Sequence, residues 1–144
     1  CHMLANQHQV HVLYPTDKGP YGVVVPDNEY EDSISKHRIN ISPKSDLLRA
    51  GRYFLRLDMS YSRTGIDEGF SQFVLSLRPD IVHFQHLINL SVNWLPIVAK
   101  LGIPSVITLH DYWFGCATLN LFRYTQNACS GADPHICREC WVQR

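Results

Sequence analysis

One segment of the chain decides between fold classes: Val106-Ile107-Thr108-Leu109-His110-Asp111-Tyr112-Trp113. Its first four residues are apolar or β-branched, which is typical of a short buried strand. This pattern stops abruptly at a histidine, an aspartate and two aromatic residues. In an open parallel sheet, ligands bind just outside the carboxyl ends of the strands. We therefore predict a ligand site at His110 and Asp111.

A second strand pattern, Ile81-Val82-His83-Phe84, lies upstream of the first. Between the two, apolar residues recur at helical spacing from 90 to 101, and the helix must begin near Leu95 or be kinked at Pro96. Strand, helix and strand over about 29 residues is the size of a βαβ unit, whose two strands are parallel. The fold class is therefore α/β with a parallel sheet. Its strand ends, Gln85-His86 and His110-Asp111, should lie together.

Other elements are predicted on both sides of this unit. Residues 64–77 form an amphipathic helix, Thr64-x-x-Asp67 resembles a capping box, and Pro79 ends that helix at Arg78. Gly102 ends the later helix. A strand is expected at residues 10–14, stopped by Pro15, and another at 38–41. Residues 21–25 are expected to form a strand or an extended loop, closed by Pro26. Residues 29–32 are expected to form an acidic loop.

The composition limits the class of protein. The chain has 144 residues, of which 45% are apolar, and this is enough to bury a core. Thirteen basic and thirteen acidic residues cancel, so charge gives no reason to expect a nucleic-acid partner. No apolar run approaches the roughly 18 residues that span a bilayer, and no leader segment is evident. We predict a reduced, cytoplasmic protein, and we take residues 1–3 for an artificial remnant.

Four cysteines follow the His-Asp pair, with the spacing C-x12-C-x7-C-x2-C: Cys116, Cys129, Cys137 and Cys140. The last two form a usual half-site for tetrahedral zinc, whereas the first two are farther apart than is typical. One or two disulfides and an iron–sulfur cluster are the alternatives, and His135 could replace one thiol. In each case residues 116–140 are predicted to be a Cys-rich loop with a structural role, because a closed four-thiolate site has no open position for catalysis.

From residue 78 onward the chain resembles the N-terminal domain of a family-4 glycosyltransferase of the GT-B type. The resemblance rests on residues 79–84 (PDIVHF), 102–104 (GIP) and 108–113 (TLHDYW). The cysteines match a subgroup of that family. The helix at 66–77 and the strand at 10–14 fit the same template, more loosely before residue 64.

The resemblance implies a Rossmann-like parallel sheet with flanking helices, in one of two domains that face each other across a cleft. It implies transfer of a sugar, with retention, from a nucleotide-sugar to a saccharide or lipid-linked acceptor held by this domain. No catalytic metal is expected. Polysaccharide assembly at the inner membrane face is the family-level expectation. The family's first strand and its C-terminal domain are missing from residues 4–144, so we expect a fragment that is inactive alone and self-associates through an exposed sheet edge.

The resemblance also assigns one site residue, and the residues around it indicate others. His110 is the candidate catalytic residue and should hydrogen-bond the donor sugar, since a neutral histidine can donate one bond and accept another. Adjacent strand residues point opposite ways, so Asp111 should cap the following turn rather than orient His110. His86 is expected to face the acceptor, and Tyr112 and Trp113 to stack on sugar rings. The simpler alternative is that these side chains only bond or pack within their own loop.

Two other functions are weighed against this one. The cysteines could make the chain a zinc-bearing interaction module without enzymatic activity. Alternatively, His83, His86 and the His110-Asp111 pair could belong to a metal phosphohydrolase. The strand patterns count against the hydrolase, because that class places its ligands on helices. His83 lies within an apolar strand and is predicted to be a core histidine.

Overall fold

The computed structural model describes residues 7–27, 34–42, 62–87, 90–116, 118–123, 125 and 127–142. In chain order the elements are β1 (His11–Tyr21), β2 (Val24–Asp27), β3 (Ser35–Asn40), α1 (Thr64–Leu77), β4 (Val82–Phe84), α2 (Trp94–Lys100), β5 (Ser105–Ile107) and α3 (Pro134–Val142). The mixture of strands and helices agrees with the predicted α/β class. The predicted remnant at 1–3 and the predicted loop at 29–32 lie outside the described residues.

The chain divides into two compact units. The first unit comprises Cys1–His83 and Leu87–Val106, and the second comprises Phe84–His86 and Ile107–Arg144. Among the described residues, no helix is long and apolar enough to cross a membrane.

The first unit contains a three-stranded sheet in the order β1-β3-β2. β1 pairs with β3 in parallel, but β2 pairs with β3 antiparallel, so the all-parallel sheet predicted from the sequence is found only in part. β1 also continues past Pro15, and β2 includes Pro26, although we predicted that both prolines end their strands. Both strands are edges of the sheet, where a missing N–H need not break the hydrogen-bond ladder. β3 begins at Ser35, earlier than predicted.

Helix α1 has the bounds predicted from its apolar spacing. Ile66, Phe70 and Val74 are buried, and α1 contacts β2 and β3. The capping box is wrong by one residue: Arg63 is the N-cap, and Asp67 accepts a hydrogen bond from its backbone N–H at 3.2 Å. Asp67 thus lies one position beyond the N3 position of a capping box, and Arg63 makes no side-chain cap bond. The helix ends as predicted before Pro79, with Arg78 left-handed at φ 49°.

Close backbone contact holds α1 against the turn after β1. A Cβ atom added to Gly69 would overlap the carbonyl oxygen of Gly22. A Cβ atom added to Gly65 would lie 2.7 Å from the ring of Tyr21. Gly22 itself has a φ of 71°, which glycine adopts without strain. The helix can therefore approach this turn only because both of its contact positions are glycine.

Helix α2 begins at Trp94, so Pro96 lies in its first turn, where a missing N–H breaks no helical hydrogen bond. Gly102 ends it as predicted. The N–H of Gly102 bonds the carbonyl of Ala99, and the N–H of Ile103 bonds that of Val98, which is the Schellman pattern. On α2, the ring of Trp94 stacks on Phe70 with the centroids 4.1 Å apart, and this contact joins α2 to α1 in the core.

Strands β4 and β5 form a second sheet of two strands. The N–H of Val82 bonds the carbonyl of Pro104 at 3.0 Å, and the N–H of Thr108 bonds the carbonyl of Phe84 at 2.9 Å. The partners advance in the same direction along both strands, so the pair is parallel. This arrangement confirms the predicted strand–helix–strand unit.

The prediction that β5 is buried is wrong. Val106 and Ile107 point to opposite faces of the strand and are 48% and 37% exposed. Both side chains therefore lack full cover, although β5 pairs with β4 within the described residues. His83 is exposed as well, which contradicts its assignment to the core, and only Phe84 of β4 is fully buried.

The predicted Cys-rich loop is partly helical. A single β-bridge joins Phe122 to Ala128 in the described part of this segment, and α3 then carries the last two cysteines. The carboxylate of Asp133 accepts bonds from the N–H groups of His135 and Ile136, at 2.9 and 3.1 Å. Pro134 follows Asp133 at the first helical position. An N-cap aspartate followed by proline is a recognised start signal for a helix, so this helix could have been predicted.

Candidate functional site

Two side-chain pairs lie beyond the carboxyl ends of β4 and β5, within the second unit. The Nε2 atom of His110 is 3.0 Å from the Oε1 atom of Gln85. The Nε2 atom of His86 is 3.4 Å from the Oδ2 atom of Asp111. Each pair joins residues 25 positions apart, so the side chains continue the parallel ladder that the backbone bonds begin. The structure thus brings the predicted strand-end residues together.

Asp111 has the role predicted from its position on the chain. Its Oδ1 atom accepts a hydrogen bond from the backbone N–H of Trp113 at 3.0 Å, which caps the turn after β5. Its other oxygen faces His86 and not the adjacent His110. One carboxylate therefore connects the turn after β5 to the histidine after β4.

The aromatic residues of the segment differ in exposure. Trp113 is only 7% exposed, and its ring stacks on His86 and on Phe114 with centroids 5.9 and 3.9 Å away. Trp113 is therefore packed beneath the surface of the site, where its contact with His86 helps to hold that ring in place. Tyr112 is exposed, and its ring is accessible for stacking on a ligand.

His110 is the more exposed of the two histidines at the strand ends, and its ring is held by Gln85. An amide oxygen can only accept a hydrogen bond, so in the neutral ring Nε2 carries the hydrogen. The Nδ1 atom then keeps a lone pair and can accept a bond from a ligand. Gln85 was not predicted as a site residue. The available signal was its place directly after the buried end of β4 and directly before the predicted site residue His86.

The pair of His86 and Asp111 has modest electrostatic energy. Their side chains are 35% and 30% exposed, and the distance of 3.4 Å is long for a hydrogen bond to a carboxylate. Partly exposed ion pairs of this kind contribute about 0–1 kcal/mol. The pair can orient the ring of His86, but it adds little to the stability of the fold.

The four cysteines at the predicted metal positions are free thiols. Burial raises the pKa of the Cys116 thiol, but hydrogen bonds with the Thr118 hydroxyl and with the backbone of Leu121, Thr118 and Leu119 outweigh this effect and lower the pKa below its ordinary value. Leu119 and Leu121 are left-handed, with φ of 70° and 57°, a geometry in which backbone N–H groups can converge on an anion. This turn therefore lowers the pKa of Cys116.

In the same turn, the backbone of Leu121 contacts both of the first two cysteines. The N–H of Cys129 bonds the carbonyl of Leu121, whose own N–H faces the sulfur of Cys116. Cys137 and Cys140 are three residues apart on α3, which places them on one helix face. In the described part of the chain, however, no group of three or more His, Cys, Asp or Glu side chains is arranged to hold a metal ion. As placed, the thiols do not fit a closed zinc site, and zinc remains a prediction from their spacing.

The same finding bears on the predicted hydrolase alternative. A metal phosphohydrolase would need His83, His86 and His110 in one ligand set, and the described residues contain no such group. His86 and His110 are instead engaged with Asp111 and Gln85. The geometry therefore favours recognition of polar ligand groups by two separately held histidines.

Comparison with known proteins identifies a family. The family model described as Glycosyltransferase Family 4 matches residues 1–137 of the chain. Among the curated proteins and the solved structures, none matches. The matched range includes both histidine pairs and the first three of the four clustered cysteines.

Proposed function

Since the chain belongs to glycosyltransferase family 4, we propose that it forms the acceptor side of an enzyme that transfers a sugar from a nucleotide-sugar with retention of anomeric configuration. The acceptor is a saccharide or a lipid-linked saccharide. The observation that supports this proposal is the placement of His110, held by Gln85 at the carboxyl end of β5. Ligands of open α/β sheets bind at such ends.

In this proposal His110 contacts the donor sugar. Its ring is exposed and is held at Nε2, so in the neutral form the remaining nitrogen can hydrogen-bond a sugar hydroxyl. A neutral histidine orients the sugar and adds no charge beside the negatively charged diphosphate of the donor. His110 therefore positions the donor sugar so that its reacting carbon is correctly oriented.

His86 and Tyr112 serve the acceptor. The carboxylate of Asp111 and the ring of Trp113 hold His86 from two directions, which fixes its ring beside the carboxyl end of β4. Tyr112 offers an exposed aromatic ring, and such faces pack well against the C–H groups of sugars. Asp111 and Trp113 thus act through His86.

The resemblance to GT-B enzymes places most of the nucleotide on a second domain, and no catalytic metal is needed in that scheme. We therefore expect these 144 residues to be inactive without such a domain. We propose that the enzyme takes nucleotide-sugars from the cytoplasm and acts on an acceptor at the inner membrane face. The four cysteines, with or without zinc, stabilise the segment that follows the site.

A transfer assay tests the proposal. The chain should be assayed with a panel of nucleotide-sugars, both alone and within its natural flanking sequence, and the anomeric configuration of the product determined by NMR. We expect transfer with retention only in the presence of the flanking sequence. An inverted product would contradict the retaining reaction, and absence of transfer with every donor would contradict the proposed function.

A further inference from the structure

We infer that Gln85 is a positioning residue that fixes the ring of His110, so that its Nδ1 atom accepts a hydrogen bond from a hydroxyl group of the donor sugar. The inference rests on the proposed function and specifies how the site selects its ligand. Gln85 touches His110 and is not assigned to the substrate. In the neutral ring, the ligand group selected at Nδ1 is a hydrogen-bond donor, and an ionised phosphate or carboxylate oxygen does not meet that requirement.

The backbone sets the distance between the two side chains. Gln85 follows Phe84 directly, and the carbonyl of Phe84 accepts a 2.9 Å bond from Thr108, two residues before His110. The 3.0 Å contact between Oε1 and Nε2 is therefore made between two positions already tied together by the parallel strands. The neighbouring pair of His86 and Asp111, with the same separation of 25 residues, shows that the alignment extends beyond a single contact.

The contact matters because His110 is exposed. A free imidazole ring on the surface can rotate and can present either nitrogen as donor or acceptor. A bond from Nε2–H to the amide oxygen of Gln85 removes both freedoms, because that oxygen can only accept. In the neutral ring the remaining nitrogen can then bond only a group that brings its own hydrogen, and a sugar hydroxyl is such a group.

Kinetics of the natural enzyme that contains this chain can test this role. Gln85→Met keeps the length of the side chain and removes the acceptor, whereas Gln85→Glu keeps an acceptor oxygen. We expect Gln85→Met to lower kcat/KM for the nucleotide-sugar about tenfold, which corresponds to the loss of one oriented hydrogen bond. Gln85→Glu should retain activity close to that of the natural enzyme at alkaline pH and lose it as the pH falls, because the carboxylate favours a second proton on the ring, at Nδ1. The KM for the acceptor should stay unchanged in both variants. Gln72→Met, at an exposed position on α1, is the matched control and should have no effect.

A double-mutant cycle distinguishes positioning from a structural role. If Gln85 acts through His110, Gln85→Met should cause no further loss in a His110→Ala background. An equal loss in both backgrounds would contradict the inference, and so would full activity of Gln85→Met beside an impaired His110→Ala enzyme. An inactive Gln85→Glu enzyme even at alkaline pH would also overturn it, because the amide would then be acting as the donor. If His110→Ala itself left the kinetics unchanged, the proposed role of His110 would fail instead.

Discussion

The Nε2 atom of His86 lies 3.4 Å from the Oδ2 atom of Asp111, although 25 positions separate the two residues. The second oxygen of the same carboxylate accepts the N–H of Trp113, whose ring stacks on His86. His86, Asp111 and Trp113 therefore form a closed set of three contacts. This set explains how a histidine after one strand is fixed by a turn after another.

Asp111→Ala should destabilise the second unit. The substitution removes the cap of the turn and the partner of His86, and a lost hydrogen bond of this kind costs about 1 kcal/mol. We expect a lower midpoint of chemical denaturation, measured by tryptophan fluorescence. Asp80→Ala, at an exposed position, is the control and should leave the midpoint unchanged. Equal midpoints for the two variants would show that the contacts of Asp111 do not stabilise the fold.

Gly69→Ala should destabilise the packing of α1 against the turn after β1. The added methyl group would overlap the backbone of Gly22, so the helix must shift, and forced overpacking costs about 1–3 kcal/mol or more. Gly115→Ala is the matched control, because a Cβ atom there meets nothing within 4 Å. Denaturant titration of both variants measures the difference. A Gly69→Ala protein as stable as Gly115→Ala would rule out this close approach.

His37 should make stability fall at acidic pH. Burial, followed by the charge of nearby His11, lowers the pKa of His37 below its ordinary value of 6.5. The unfolded state therefore binds the proton more tightly, and the contribution of His37 to stability is complete above pH 6.5 and is lost as the pH falls through the lowered pKa. His37→Phe keeps a ring against Phe73 and should flatten the dependence of Tm on pH between about 7 and 5. His8→Phe, at an exposed position, should keep the original slope, and the same slope in His37→Phe would contradict the assignment.

The exposed strand β5 should cause these 144 residues to self-associate. Val106 and Ile107 are apolar, β-branched and exposed, and strands of this kind tend to pair with other chains. We expect light scattering to show a mass that rises with concentration, and Val106→Lys to reduce it by placing a charge on the strand. Val142→Lys changes an exposed valine on α3 and should not reduce it. A monomer at all concentrations in the unmodified chain would be the contrary result.

The parts of the fold that follow local periodicity were predictable. Helix α1 has the expected bounds because its apolar spacing and Pro79 are both local signals. The parallel pair of β4 and β5 followed from the length of chain between them. The continuation of the two edge strands through their prolines was not predictable. A proline is tolerated in an edge strand, and the sequence does not show which strands lie at the edge.

The site was predictable to a similar degree. The sequence indicated that His110, Asp111 and His86 lie at strand ends, and the structure brings them there. It could not indicate which side chain faces which, because the partners are 25 residues apart and depend on the register of two strands. Gln85 was missed for that reason. The burial of β5 was wrongly expected because apolar composition alone does not supply a neighbouring layer.

The kinetics of His110→Ala in the full-length natural protein test the central claim most directly. If His110 contacts the donor sugar, kcat/KM for the nucleotide-sugar should fall about a hundredfold, as when one preorganised hydrogen-bonding group is removed from a transition state. The exposed His8→Ala variant should keep the natural value. An unchanged kcat/KM in a folded His110→Ala enzyme would contradict the account.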